Sequence, residues 1–209
     1  ELSSLSIEHG RIRMEGLDLE VRAGETIGLA GMEGSGQSIL LRACAGLVPP
    51  IAGRVVIDKH DLTGKAYRQF KKRGVAYVPA ARLEEGLISG LTLSEHFLLT
   101  QKRPGLFIDR EQGRRVAEER ISQYNIRGTA ASRVEALSGG NQQRALLALV
   151  KPESRLLLLE HPTRGLDIES VIYLWGKLKE RCNGGGAIIF TSSDLDELLR
   201  YSDRILVFF

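Results

Sequence analysis

Cysteine is scarce in this 209-residue chain: Cys44 and Cys182 lie far apart, with no metal-ligand or redox spacing, and speak for reduced, cytosolic thiols. Long apolar runs are missing as well. The most apolar stretches, 145–150, 156–159 and 205–209, fall far short of the roughly 20 residues that cross a bilayer. A strong charge of either sign is also lacking, since a net +3 and a pI near 9.0 on a chain with 26% charged residues give no case for nucleic acid as a partner. The densest basic run, Arg68 to Arg73, reads as a solvated helix face. Aromatic residues are few, and the first twenty positions have no Phe, Tyr or Trp. There is no internal repeat, no low-complexity segment, no initiating methionine and no secretory signal pattern. With an end inside the strand-like run at Phe208-Phe209, the chain is expected to be a fragment of a longer polypeptide.

What is present is enough hydrophobic residue, 43%, to fill the core of one domain with a small insert. Apolar residues often two apart at Leu5, Ile7, Ile12, Met14, Leu17, Leu19 and Val21 predict short antiparallel strands. From Thr26 onward, apolar runs alternate with helical ones, the pattern of a parallel sheet flanked by helices. The expected strands are Thr26 to Ala30, Val55 to Asp58, Val75 to Val78, Arg155 to Leu159, Ala187 to Thr191 and Arg204 to Phe208. Over 83–136 the strand signal stops, and helical patterns at Leu93 to Gln101 and Asp109 to Tyr124, the latter capped by Asp109, predict a helical insert into a core formed by 1–82 and 137–209. Gly184-Gly185-Gly186 reads as the loop from a helix to the next strand.

Two glycine-rich motifs carry chemistry. Gly31-Met32-Glu33-Gly34-Ser35-Gly36-Gln37-Ser38 lies between a strand-like run and a helical one beginning at Ile39, the setting of a phosphate-binding loop. Glycines let backbone N–H groups curl toward phosphate oxygens, and the helix adds its positive end. Ser38 is placed for magnesium, but Gln37 stands where lysine is expected, so the charge that would offset the β and γ phosphates is gone. Taken alone, this octapeptide reads equally well as an ordinary strand-to-helix turn. The second motif, Leu137-Ser138-Gly139-Gly140-Asn141-Gln142-Gln143-Arg144, opens another helix and is followed by an apolar strand ending Glu160-His161, then Pro162-Thr163-Arg164-Gly165-Leu166-Asp167, then a strand leading to Ser192-Ser193-Asp194.

In this order and spacing the motifs resemble the ATP-binding cassette (ABC) family over essentially the whole chain, and most closely the second cassette of tandem sugar and nucleoside importer ATPases. The resemblance implies an α/β P-loop NTPase fold, with a mostly parallel core sheet, N-terminal antiparallel strands and an inserted helical subdomain. It implies ATP and Mg2+ as ligands, a second cassette and membrane permease subunits as partners, and a cytoplasmic, membrane-peripheral location. The loop residues Gly31, Gly34, Ser35, Gly36, Gln37, Ser38 and Ile39 would hold the nucleotide, with Ser38 and Glu160 near the metal. Ser138, Gly139 and Gly140 would act in trans on the ATP of the opposing cassette.

Five positions depart from the family pattern: Gln37, Ala80 for a glutamine, Glu160 for a magnesium-holding aspartate, His161 for the catalytic glutamate and Ser193 for the switch histidine. All belong around one γ-phosphate. Phosphoryl transfer depends on positioning and charge, so the chain's own site is expected to hydrolyse ATP poorly or not at all while its signature serves its partner. The alternatives are a non-hydrolysing regulatory or dimerisation module and a soluble cassette ATPase acting on nucleic acid. No base-stacking residue stands out: His9 reads as a surface histidine, His60 and His96 carry no pattern, and Trp175 reads as core packing.

Overall fold

A computed structural model describes residues 1–101 and 109–209; the part of the expected insert at 102–108 lies outside them. Strands β1 (Leu2–His9) and β2 (Ile12–Leu19) form an antiparallel hairpin in which Leu2, Leu5, Ile7 and Leu19 are buried; the pairing is irregular between Leu2 and Ile7, and Ile12, Met14 and Leu17 are only partly buried. Strand β3 (Thr26–Gly31) leads into helix α1 (Gln37–Cys44), followed by β4 (Ala52–Ile57), β5 (His60–Asp61), α2 (Tyr67–Lys72) and β6 (Val75–Val78). Helices α3 (Leu93–Thr100), α4 (Arg110–Gln123) and α5 (Gly139–Leu149) come next. The chain ends with β7 (Leu156–Glu160), α6 (Ile168–Asn183), β8 (Ala187–Thr191), α7 (Leu195–Tyr201) and β9 (Arg204–Phe208).

Five of the strands make a parallel sheet ordered β6-β7-β8-β3-β9, and four make a second sheet ordered β2-β1-β4-β5. The stretch expected at Val55 to Asp58 is therefore not a strand of the parallel sheet: β4 pairs antiparallel with β1. The reason is one-sided burial. In β4 only Val55 is buried, whereas all of β8 is and β3 is buried up to Ala30, as a strand covered on both faces requires. Gln101, expected in α3, lies just beyond its end.

The described residues fall into two compact units. The first, residues 1–78, 152–162 and 175–209, holds both sheets. Its core gathers Leu5, Ile7 and Val55 from the antiparallel sheet, Leu40 and Leu41 from α1, and Ile27, Leu158 and Ile189 from the parallel sheet. Each fully buried side chain of this kind contributes about 1.5–3 kcal/mol. The second unit, residues 79–151 and 163–174, extends beyond 83–136 to take in α5 and the turn after β7. Its helix starts are set by caps. Thr92 and Glu95 form a reciprocal capping box at α3, and Asp109 accepts the Gln112 N–H at α4. His96 is 3% exposed, its Nε2 accepting the Ile88 N–H at 2.8 Å and its Nδ1 2.8 Å from the Thr92 carbonyl, which makes it a structural residue.

Candidate functional site

The parallel register brings several motif residues to one edge of the first unit. Glu160 is level with Thr191, Thr191 with Leu29, and Gly31 with Phe208, so the phosphate loop, the Glu160-His161 pair and Ser192-Ser193 all leave their strands at the carboxyl edge. That edge, beside a strand whose neighbours come from distant parts of the chain, is where open α/β sheets bind ligands.

The loop is shaped by glycine and closed by its own side chains. Gly31 has φ 149°, and a Cβ there would lie 2.6 Å from the Phe208 carbonyl oxygen. Gly36, at φ 116°, caps α1. Three donors converge on the Met32 carbonyl: the Ser35 N–H at 3.1 Å, the Ser35 hydroxyl at 2.7 Å and the Gln37 Nε2 at 3.2 Å. Gln37 is thus tucked onto its own loop and 8% exposed. Ser38 is half-buried, and the Ile39 side chain belongs to the core, which leaves its N–H as its polar group at the loop. The amides opening α1 have no carbonyl a turn earlier to bond, so the loop fits an oligophosphate. Glu33, exposed in the same loop, adds a carboxylate that opposes one.

The metal half of the site does not fit in the same way. Glu160 is 3% exposed, and its Oε1 accepts a 2.7 Å hydrogen bond from the Tyr77 hydroxyl and lies 3.7 Å from the Arg42 Nε. Arg42 in turn sits over the Tyr77 ring, 5.6 Å from its centroid. The carboxylate is already paired with a cation of the protein itself. Sequence reasoning missed both partners, although Arg42 lies four residues beyond Ser38 and so one turn along the same helix face. Among the described residues no cluster of three or more His, Cys, Asp and Glu could hold a metal.

His161 follows β7 with φ 47°, a left-handed backbone uncommon for a residue with a side chain, and its N–H donates to the Thr191 carbonyl at 3.0 Å. Ser193 is exposed just past β8. Beside it, Ser192 donates its hydroxyl to the buried Glu197, which also accepts the Trp175 indole N–H at 2.6 Å. Trp175 is wholly buried, stacked on Tyr201 with centroids 4.5 Å apart, and is core as expected. His9 is exposed at the end of β1, and the apolar groups flanking Gly36 are Ile12 and Met14.

The signature lies in the second unit, where Ser138 is the N-cap residue of α5. Ser138 and Gly139 are exposed. The Ser138 hydroxyl accepts from the Asn141 side-chain amide at 2.9 Å, and the Asn141 oxygen accepts the Arg127 N–H at 2.8 Å. Gln142 anchors the turn from below, donating to the Val134 and Leu137 carbonyls at 3.1 Å each. Nearby, Arg144 donates to the Ser170 hydroxyl, while Asp167 accepts from the Ser170 N–H at 2.8 Å and its hydroxyl at 2.7 Å. The two Ser170 bonds hold the Asp167 carboxyl below the ordinary aspartate range. Ala80, half-buried, belongs to this unit too.

A family model described as ABC transporter matches residues 14–164. The nucleoside import ATP-binding protein NupA of Lactococcus lactis subsp. cremoris is 34% identical over 99% of this chain and 43% of its own length. The ribose import ATP-binding protein RbsA 1 of Rhizobium johnstonii is 37% identical over 94% of this chain and 40% of its own. The chain therefore spans about two fifths of the curated relatives it matches. Among solved structures, an ATP-binding cassette dimer in a post-hydrolysis state with ADP and Pi superposes with a TM-score of 0.81 at 25% identity, covering 99% of this chain and 93% of that one. No helix of the described residues is long and apolar enough to cross a membrane.

Proposed function

This chain belongs to the ABC transporter family, and from that premise we propose that it is the ATP-binding cassette of a sugar or nucleoside importer, working opposite a second cassette and against membrane permease subunits at the inner face of the membrane. Its relatives named for nucleoside and ribose import support the solute class. In this reading the chain's own site binds ATP without turning it over efficiently, and its signature completes the site of the opposing cassette.

The observation that carries the proposal is a contrast between two phosphate-binding elements. Ser138 and Gly139 are exposed at the start of an eleven-residue helix, with the turn braced by Asn141 and Gln142. In the other element, Gln37 is bonded to Met32 and Glu160 to Tyr77, with Arg42 alongside.

The roles follow from the residues. Backbone amides from Gly31 to Ser38 hold the phosphates of the chain's own nucleotide, and the dipole of α1 favours their negative charge. Magnesium bound to such phosphates supplies charge neutralisation, but Glu160 as arranged here is committed elsewhere. His161 stands where a base would orient water, yet it lacks a carboxylate's charge. In trans, the Ser138 hydroxyl and the first amides of α5 grip the terminal phosphate of the partner's ATP and exclude water from it.

The purified chain is expected to bind ATP while showing negligible steady-state turnover. Robust hydrolysis by the chain alone would sink the assignment of its own site. In the full-length polypeptide, Ser138→Arg is expected to abolish ATP turnover. Unchanged turnover would leave the second reading, a nucleotide-binding regulatory module, which the Arg42–Glu160 pair already favours for the chain's own site.

A further inference from the structure

Arg82 occupies an unusual position for a cation. It opens a wide helical turn (Arg82–Gly86) whose far end is pinned on the signature helix: a Cβ at Gly86 would sit 2.5 Å from Leu146 Cδ2. One guanidinium nitrogen, Nη1, donates to the Arg164 carbonyl at 3.2 Å. The other, Nη2, lies 3.1 Å from where a Cβ of Gly139 would be. The same side chain also comes within 4.0 Å of a Cβ position at Gly165. Among the described residues no carboxylate pairs with it. The first turn of α5 holds no acidic residue either.

A helix N-terminus carries roughly half a positive charge, so a cation placed there without a counter-ion opposes folding rather than aiding it. The Arg164 carbonyl contact holds the guanidinium in place but does not cancel that charge. A ligand with several negative oxygens does. We infer that Arg82 is a phosphate-contacting residue of the signature, presenting its guanidinium beside Ser138, Gly139 and Gly140 to the terminal phosphate of a nucleotide carried by the opposing cassette. This rests on the trans role proposed above for the signature. It adds to that role a full charge where the signature itself supplies only amides and a hydroxyl. It also gives Gly139 a steric reason, since any side chain there meets the Arg82 Nη2.

The test compares Arg82→Gln, Arg82→Lys and Ser138→Arg in the full-length polypeptide, with steady-state ATP turnover as the readout and thermal unfolding as a check on folding. Glutamine keeps an N–H donor for the Arg164 carbonyl but no charge, and lysine keeps the charge. Arg82→Gln is expected to lower kcat by about tenfold or more, in line with loss of one preorganised charge-stabilising donor, with Arg82→Lys restoring most of it. Wild-type turnover in Arg82→Gln, or a lysine variant no better than glutamine, overturns the inference. If Ser138→Arg abolishes turnover in that case, the trans role of the signature stands and only Arg82 is removed from it. If Ser138→Arg leaves turnover intact, both fall together.

Discussion

The hydroxyl of Tyr77 donates a 2.7 Å hydrogen bond to Glu160, a carboxylate that is 3% exposed at the end of the interior strand β7. With Arg42 3.7 Å from the same oxygen, the acid that the family pattern assigns to magnesium is held as an internal ion pair.

One expectation is metal indifference. ATP affinity of the purified chain, measured by fluorescent-nucleotide displacement, is expected to change little when magnesium is replaced by EDTA. In Arg42→Met, which removes that cation from Glu160, magnesium should strengthen binding. A strong magnesium requirement in the unmodified chain would show that Glu160 leaves Arg42 when nucleotide arrives.

Removing the Tyr77 hydroxyl deletes a hydrogen bond to a buried charged group. Tyr77→Phe is expected to cost about 1.5–3 kcal/mol in urea unfolding, and a loss below about 0.5 kcal/mol would place the hydroxyl outside the network.

Glu197 joins Trp175 to Ser192, the residue before the switch position. Glu197→Ala leaves a buried indole N–H without an acceptor and should cost about 1–3 kcal/mol, while Glu197→Gln, which can still accept, should cost less. Equal losses in urea titrations would contradict the pairing.

Acid stability follows from depressed carboxyls. Hydrogen bonds from Thr63 lower the Asp61 pKa, those from Thr92 lower Glu95, and those from Ser170 lower Asp167. A carboxyl whose folded pKa lies below its unfolded value stabilises the fold above that unfolded value, about 3.9 for Asp and 4.3 for Glu, and loses the contribution as pH falls through the folded pKa. Chemical denaturation should therefore show stability steady from about pH 7 to 5 and falling below about pH 4, with Asp167→Asn removing part of the slope.

Burial pushes the Cys44 thiol up to about 12, so the thiolate is scarce near neutrality. Alkylation of Cys44 by iodoacetamide at pH 8 should proceed at the rate of global unfolding. Fast labelling of the native chain would show that the helix α1 core opens.

Much of this was legible in sequence because the signals are local. Val75–Val78, Ala187–Thr191 and Arg204–Phe208 are strands over the expected residues, since unbroken apolar runs bounded by turns suit strands covered on both faces. Asp109 and Ser138 were visible as helix starts for the same reason. Strand β4 was misplaced because Val55-Val56-Ile57 reads as an apolar run, yet burial falls on Val55 alone. The site was harder. Arg42 meets Glu160 across 118 positions and Arg82 meets Arg164 across 82, and nothing in the local pattern announces either pairing. Gln37 was visible as a missing lysine, but its bond to Met32 depends on loop curvature set by Gly31 and Gly36.

The contact between Gly31 and Phe208 has a consequence for synthesis. Strand β3 is made well before its edge neighbour β9, and Asp203 just before β9 accepts the Thr26 N–H at 2.7 Å. The turn that begins at Gly31 cannot rest against Phe208 until β9 has left the ribosome, so its curvature is set by a strand made long after it and not by its own glycines alone.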